Sequence, residues 1–314
     1  MKNRYKIGKQ KIIRSTPQKI AMGIVFALFL IYSVTLVFPF VWMFVNSFKS
    51  PAEFFGGNIW GFPKTLRIAN YSEIFVGLPV GGVDGAVIET TVVGKLFGAI
   101  HKYSIFEMFI VSIALTLACT LSNIFFSATS SYVVAKYRFF GRQFIYSLAI
   151  FLMIVPIAGT LPEQYALMRW LGLEDSFFGV FLMFSAGFGM NFFLMYGFFK
   201  NISVTYAEAA RVDGAGHIMV FFKIMLPLAL PVIVSLSVIY SIGIWNDYTT
   251  PSIYMKSMPP LAYGLFLIRE TLTGKGAYTQ TFAAMMIALV PILAVFIAFS
   301  NTIMENTIAG GLKG

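Results

Sequence analysis

Groups able to make or break bonds are few in this chain, and they are scattered. The two histidines, His101 and His217, fall in different segments, and the single thiol, Cys119, lies inside a long apolar run. No zinc or catalytic cluster can be built from them, so no metal site and no catalytic residue are expected. Cys119 reads as a small packed thiol. A phosphate loop of the form G-x-x-x-x-G-K-[ST] is missing; Gly94-Lys95 and Gly274-Lys275 lack the rest of it. The chain is not expected to hydrolyse nucleotide by that route. One stretch does concentrate polar groups: "EAARVDGAGHIMVFFKIMLPLALP", Glu208 to Pro231, in a chain with only 11% charged residues. Taken alone, its chemistry fits either an ordinary connecting loop, where ionisable residues sit because it is wet, or a docking hairpin. Thr205-x-x-Glu208 has the form of a capping box that starts a helix, and Ala207, Ala209 and Ala210 favour it. Gly214 and Gly216 are suited to left-handed turns. A second helix is expected from near His217, with Ile218, Phe221, Phe222 and Met225 on one face and Pro227 at the entry to the next apolar run. Small residues on one arm permit close approach to a partner.

The elements that must carry this hairpin are apolar. Hydrophobic residues make up 58% of the 314, and mean hydropathy is +0.79. About 20 apolar residues cross a bilayer. Uncharged runs at Ile20–Phe48, Met108–Ala135, Phe144–Leu161, Ser176–Phe199, Ile224–Asn246 and Thr281–Met304 meet or approach that length. The expected fold is an all-α membrane protein with six transmembrane helices. The spans are placed at about 20–48, 108–135, 144–161, 176–199, 226–246 and 281–304. The first run is too long for a signal-peptide core and is expected to remain as a span.

Charge sets the orientation. The side holding both termini carries 14 of the 23 basic residues: Lys2 to Lys19, Lys136 to Arg142, Lys200 to Lys223, and Lys313. It carries 3 of the 13 acidic residues, Glu208, Asp213 and Glu305. That side is expected to be cytoplasmic. A basic tail (1–19), a transmembrane domain (20–306) and a C-terminal tail (307–314) follow, with the hairpin at 205–226 inside and a long segment at 49–107 outside. The second half of that segment, rich in Gly and Val, is expected to form short strands or helices. Pro162–Ser176 is expected to be a short helix at the outer interface. The net charge of +10 needs no nucleic acid to explain it. The spans lack ionisable residues at depth, which weighs against a proton- or ion-coupled carrier.

The spacing within the hairpin is specific. Glu208-Ala209-Ala210, Gly214, Ile224, Leu226 and Pro227 resemble, position for position, the EAA-x3-G-x9-I-x-L-P motif of ABC importer permeases. "NSFKSPAEFF" (Asn46–Phe55), "NYSEIF" (Asn70–Phe75), "SSYVVAKYRFFGR" (Ser130–Arg142), "LGLEDS" (Leu171–Ser176), "WNDY" (Trp245–Tyr248) and "TIAGGLKG" (Thr307–Gly314) are similar to segments of sugar permeases of the maltose-transporter type. Two features depart from that pattern: Ile202-Ser203 stand where a Pro is usual, and the segment from Gly77 to Glu107 is long. The resemblance implies the type I ABC importer permease fold in a bacterial inner membrane. It implies a coupling hairpin for an ATPase, carried by Glu208, Ala209, Ala210, Arg211, Asp213, Gly214, Ile224, Leu226 and Pro227. It further implies a second permease subunit, two ATPase subunits that bind ATP and Mg, and an extracytoplasmic solute-binding protein. This chain itself would bind no cofactor. The cargo is expected to be a sugar or oligosaccharide; a non-sugar solute, or a stand-alone carrier, are the alternatives. Asn123, Asn191, Trp245, Asn246, Asp247 and Tyr248 are candidates for the substrate path, because sugars are held by hydrogen bonds and aromatic faces. The competing reading is that such Asn residues bond neighbouring helices and such Trp and Tyr residues mark the interface.

Overall fold

The computed structural model describes residues 16–76, 105–154, 161–273 and 278–311. Among them every regular element is helical. The elements are α1 (Thr16–Ser47), α2 (Pro51–Phe55), α3 (Ala69–Val76), α4 (Ile105–Lys136), α5 (Arg142–Ile154), α6 (Leu161–Trp170), α7 (Phe177–Phe184), α8 (Met190–Asn201), α9 (Thr205–Val212), α10 (His217–Val220), α11 (Leu226–Asn246), α12 (Thr249–Tyr254), α13 (Leu261–Thr273) and α14 (Tyr278–Gly311). A π-helical turn, Phe221–Met225, joins α10 to α11. Four helical stretches are long and apolar enough to cross a membrane: Thr16–Ser47, Ile105–Lys136, His217–Asn246 and Tyr278–Ser300.

Helix α4 is the hub, packing against α7, α8, α11 and α13. Its buried side mixes apolar residues such as Met108, Leu115 and Ile124 with six polar ones, Ser112, Thr116, Thr120, Asn123, Ser127 and Ser131. Small side chains let helix backbones approach within the membrane, where no difference in oiliness drives helices together. Helix α1 differs. Of its 32 residues only Asn46 and Ser47 are buried, and its apolar face is otherwise open. It touches the body chiefly along α14.

Two expected spans look different in three dimensions. The third is helical over Arg142–Ile154, about 20 Å at 1.5 Å per residue; residues 155–160 lie outside the described part. The fourth is not one helix. It is α7 and α8, separated by Ser185–Gly189. Side chains from other helices hold the gap. Asn123 Nδ2 donates to the carbonyls of Phe184 (3.1 Å) and Ala186 (2.7 Å). Ser130 Oγ lies 3.1 Å from Gly187 O and 2.7 Å from Phe126 O, sharing its one proton between them, and the Tyr240 hydroxyl donates to Phe184 O at 2.6 Å. Irregular backbone at membrane depth survives only when protein groups satisfy it in this way. Gly187 lies so close to α4 that a Cβ there would sit 2.8 Å from Phe126 Cβ.

The helix expected near Pro162–Ser176 is present as α6. Helix α14 continues past Thr307 to Gly311. The basic N-terminal tail to residue 15, His101 and the Gly/Val-rich stretch from Gly77 to Ser104 lie outside the described residues.

Candidate functional site

The hairpin folds as two short helices closed by a glycine turn. Helix α9 ends in a Schellman motif. Gly214 N donates to Arg211 O and Ala215 N to Ala210 O, each at 2.9 Å. Gly214 has φ 84°, a conformation that glycine adopts without penalty. Gly216 is not left-handed, as its sequence suggested. It is extended at φ −70°, ψ 162°, and caps α10 through its carbonyl, which accepts from Val220 N at 3.0 Å. The capping box does not form either. Thr205 is already helical, and Val204 holds the cap position with helical angles and no side-chain bond. Ser203 Oγ accepts from Thr205 N at 3.2 Å and pairs with Thr205 Oγ1 at 2.8 Å.

Burial divides the motif into two faces. Ala207 and Ala210 are buried against Tyr132, Phe199, Val220, Phe221 and Met225, so the small residues on this face dock the hairpin onto its own protein. Glu208, Ala209, Arg211, Asp213 and Gly214 face outward. Beside them lie two large apolar side chains that the motif does not include: Val212 is 88% exposed and Ile218 75%. The face expected of the second helix is split. Phe221 and Met225 are buried, while Ile218 and Phe222 turn outward. The signal for Val212 is an apolar residue between Arg211 and Asp213, and Ile218 stands out only as a member of the expected apolar face of the second helix.

Polar contacts clasp the hairpin to the α4–α5 connection. Tyr137 Oη lies 2.9 Å from His217 Nδ1, and Arg211 Nη2 lies 3.4 Å from the same nitrogen. Lys136 Nζ donates to Ile202 O at the end of α8, where a cation suits the free carbonyls. The π turn has a local cause. Pro227 lacks an N–H, and its ring would press on the carbonyl four residues back, at Lys223. The helix widens there, and Leu226 N reaches Phe221 O instead. Ile224 and Leu226 are half-buried and Pro227 is exposed at this junction.

The six substrate-path candidates do not converge. Asn123 is committed to the helix break, and Asn191 Nδ2 donates to Asn123 Oδ1 at 2.8 Å. Asp247 Oδ1 accepts from Thr249 N and Thr250 N, starting α12. Tyr248 stacks on Phe266 at 5.4 Å. Trp245 and Asn246 line a cavity of about 230 Å³ together with Phe40, Met43, Leu265 and Met285. Asn246 Nδ2 is bonded to Ile242 O. The lining is otherwise hydrocarbon and thioether, a poor match for the many hydroxyls of a sugar. Among the described residues no group of three or more His, Cys, Asp or Glu could hold a metal ion.

The fold defines a polytopic helical membrane protein, and its hairpin carries an exposed face of charged and apolar residues. Residues 127–309, which include the whole hairpin, match the family described as binding-protein-dependent transport system inner membrane component; the chain belongs to that family. It is similar to the arabinooligosaccharides transport system permease protein AraQ of Bacillus subtilis, with 26% identity, covering 96% of this chain and 100% of the relative. Protein LplC of the same organism is 27% identical over 88% of this chain and 90% of its own length. The diacetylchitobiose uptake system permease protein NgcG of Streptomyces coelicolor is 26% identical over 91% and 87%. The fold is shared with a chain from the crystal structure of a bacterial ABC transporter involved in import of the acidic polysaccharide alginate. The TM-score is 0.72 at 21% identity, covering 92% of this chain and 98% of that one.

Proposed function

We propose that the chain is the membrane permease subunit of an ATP-driven, binding-protein-dependent importer for a sugar or oligosaccharide. The relatives named above support the cargo class. The observation that carries the coupling role is the outward face of the hairpin. Ala209 and Gly214 lie flush there, Glu208, Arg211 and Asp213 supply charge, and Val212 and Ile218 project into solvent. Exposed apolar side chains rimmed by charge suit a protein or a membrane contact, and the charged, small-residue setting of Val212 and Ile218 favours a protein. The partner is a cytoplasmic ATPase subunit that binds ATP and Mg; closure of that subunit moves the hairpin and, through the π turn, α11. No bond chemistry occurs in this chain.

The same reading has six crossings, both termini inside, a second permease chain and an external solute-binding protein. The third and fourth crossings use the short helix α5 and the interrupted pair α7–α8. The charge asymmetry and the internally bonded break at Ser185–Gly189 support this arrangement.

Affinity purification from native membranes tests the proposal together with thiol labelling at Val212→Cys. The ATPase and a second permease should co-purify, and a membrane-impermeant reagent should reach position 212 only after the membrane is opened. A transport-active monomer, or labelling of intact cells, would sink it.

A further inference from the structure

We propose that residues 56–68, which follow α1, form an aromatic anchor seated in the lipid interface beside that helix. The ligand is the boundary of the bilayer itself, contacted by Trp60 and Phe62.

The geometry begins with a fold-back. The Trp60 ring stacks on Phe38 with centroids 6.1 Å apart, and lies 6.0 Å from Trp42. Phe38 stands nine residues before the end of α1, so the chain has returned about 13 Å along the span. Counting about 20 residues from Ile20 places the far edge of the hydrocarbon near Phe38–Trp42. The two tryptophans therefore meet where indoles favour the membrane–water boundary.

The outer surface of this segment carries large apolar side chains beside the polar Lys64 and Thr65. Trp60 is 76% exposed and Phe62 82%, with Leu66 and Ile68 alongside. It is continuous with the open apolar face of α1, of whose most apolar window 0% is buried. Its backbone is also unusually well provided for. Lys49 is fully buried. Its Nζ donates to Asn58 O and to Asn46 Oδ1 (2.8 Å), with Ile59 O at 3.4 Å. Asn58 Nδ2 donates to Phe62 O (3.0 Å) and to Glu53 Oε1 (2.7 Å), and that oxygen also accepts from Lys64 N at 2.8 Å. Asn70 Nδ2 closes the base on Ser47 O and Lys49 O. A water-exposed loop needs no such provision. Backbone in a medium poor in water does. Burial pulls the Lys49 ammonium below its ordinary pKa, and the Lys64 amide does the same for the Glu53 carboxyl.

The proposal requires α1 to span the bilayer but is indifferent to its direction and to the cargo. The test is spin labelling at Phe62→Cys in the intact importer, in vesicles of phosphatidylethanolamine and phosphatidylglycerol. Ile31→Cys on α1 and Lys256→Cys, exposed in the connection between α12 and α13, serve as references. Native Cys119 is buried and does not compete for label. Collision with oxygen and with a nickel chelate is measured at each site. The Phe62 label should favour oxygen, as at Ile31, and differ clearly from the nickel preference at Lys256. Nickel preference at Phe62 with a lipid-exposed Ile31 would overturn the anchor alone. Nickel preference at Ile31 would overturn the spanning role of α1 and the anchor with it. A Phe62 label shielded from both reagents would overturn the proposal in favour of a protein partner.

Discussion

Two of the glycine-containing segments that interrupt the helices are built in opposite ways. At Asp213–Gly216 the turn satisfies itself: Gly214 N and Ala215 N bond carbonyls of the helix they have just left. At Ser185–Gly189 the carbonyls of Phe184, Ala186 and Gly187 are satisfied by Asn123, Ser130 and Tyr240, all more than 50 residues away in sequence. The first interruption is free to present a surface. The second is fixed to the bundle. A self-sufficient turn can move as a unit, whereas a turn that borrows its partners registers any shift of the helices that lend them.

The sharpest way to break this comparison is Gly214→Val. A Cβ at Gly214 meets nothing within 4 Å in this chain, but its φ of 84° is hostile to a branched side chain. The strain costs about 1–2 kcal/mol, which a bundle of this size absorbs. Any larger effect must come from a partner touching the outward face. Membrane expression should be normal, while ATPase activity stimulated by the loaded binding protein, and co-purification of the ATPase, should be lost. Transport at the unsubstituted rate with full ATPase recovery would show that the turn is only a connection.

Asn123→Leu probes the other interruption. It leaves the carbonyl of Ala186 without its Asn123 donor, takes one of two donors from that of Phe184, and removes the acceptor of Asn191 Nδ2. At about 1–3 kcal/mol for a stranded buried group, the expected loss is roughly 3 kcal/mol, read as a lower melting temperature in detergent. ATPase recovery per folded molecule should not change. A protein as stable as the unsubstituted one would mean that the break does not depend on α4.

The contrast explains what was legible in the sequence. The hairpin was readable because its determinants are local: alanines, a glycine and a proline at fixed offsets. The family match over residues 127–309 bears out that resemblance. The long spans were readable from uncharged runs, and α4 and α14 stand where those runs lie. The break in Ser176–Phe199 was not readable. Gly187 and Gly189 hint at it, but the apolar run is unbroken, and the groups that stabilise the gap come from distant helices. Burial inside the motif was also hidden. Ala209 and Ala210 are both small, and only the packing of Tyr132 and Phe221 decides that Ala210 turns inward and Ala209 outward.

The smallest expected effect separates Glu208, which the T-x-x-E pattern assigns to the cap, from Ser203, which that pattern leaves out. The T-x-x-E pattern gives Glu208 a structural part in starting α9. In the folded chain that part belongs to Ser203, whose hydroxyl accepts from Thr205 N; Glu208 is exposed and lies on the outward face. Ser203→Ala should therefore cost about 1 kcal/mol, typical of a lost helix cap. Glu208→Ala should leave stability nearly unchanged and weaken ATPase recovery instead. Melting temperature and ATPase co-purification, measured on both variants, form a crossed pair. If Glu208→Ala lowers the melting temperature more than Ser203→Ala, the capping box forms after all, and Glu208 faces its own helix rather than a partner. If neither moves the melting temperature and only Glu208→Ala loses the ATPase, α9 is held by Ala207 and Ala210 packing alone, and its polar residues serve the outward face.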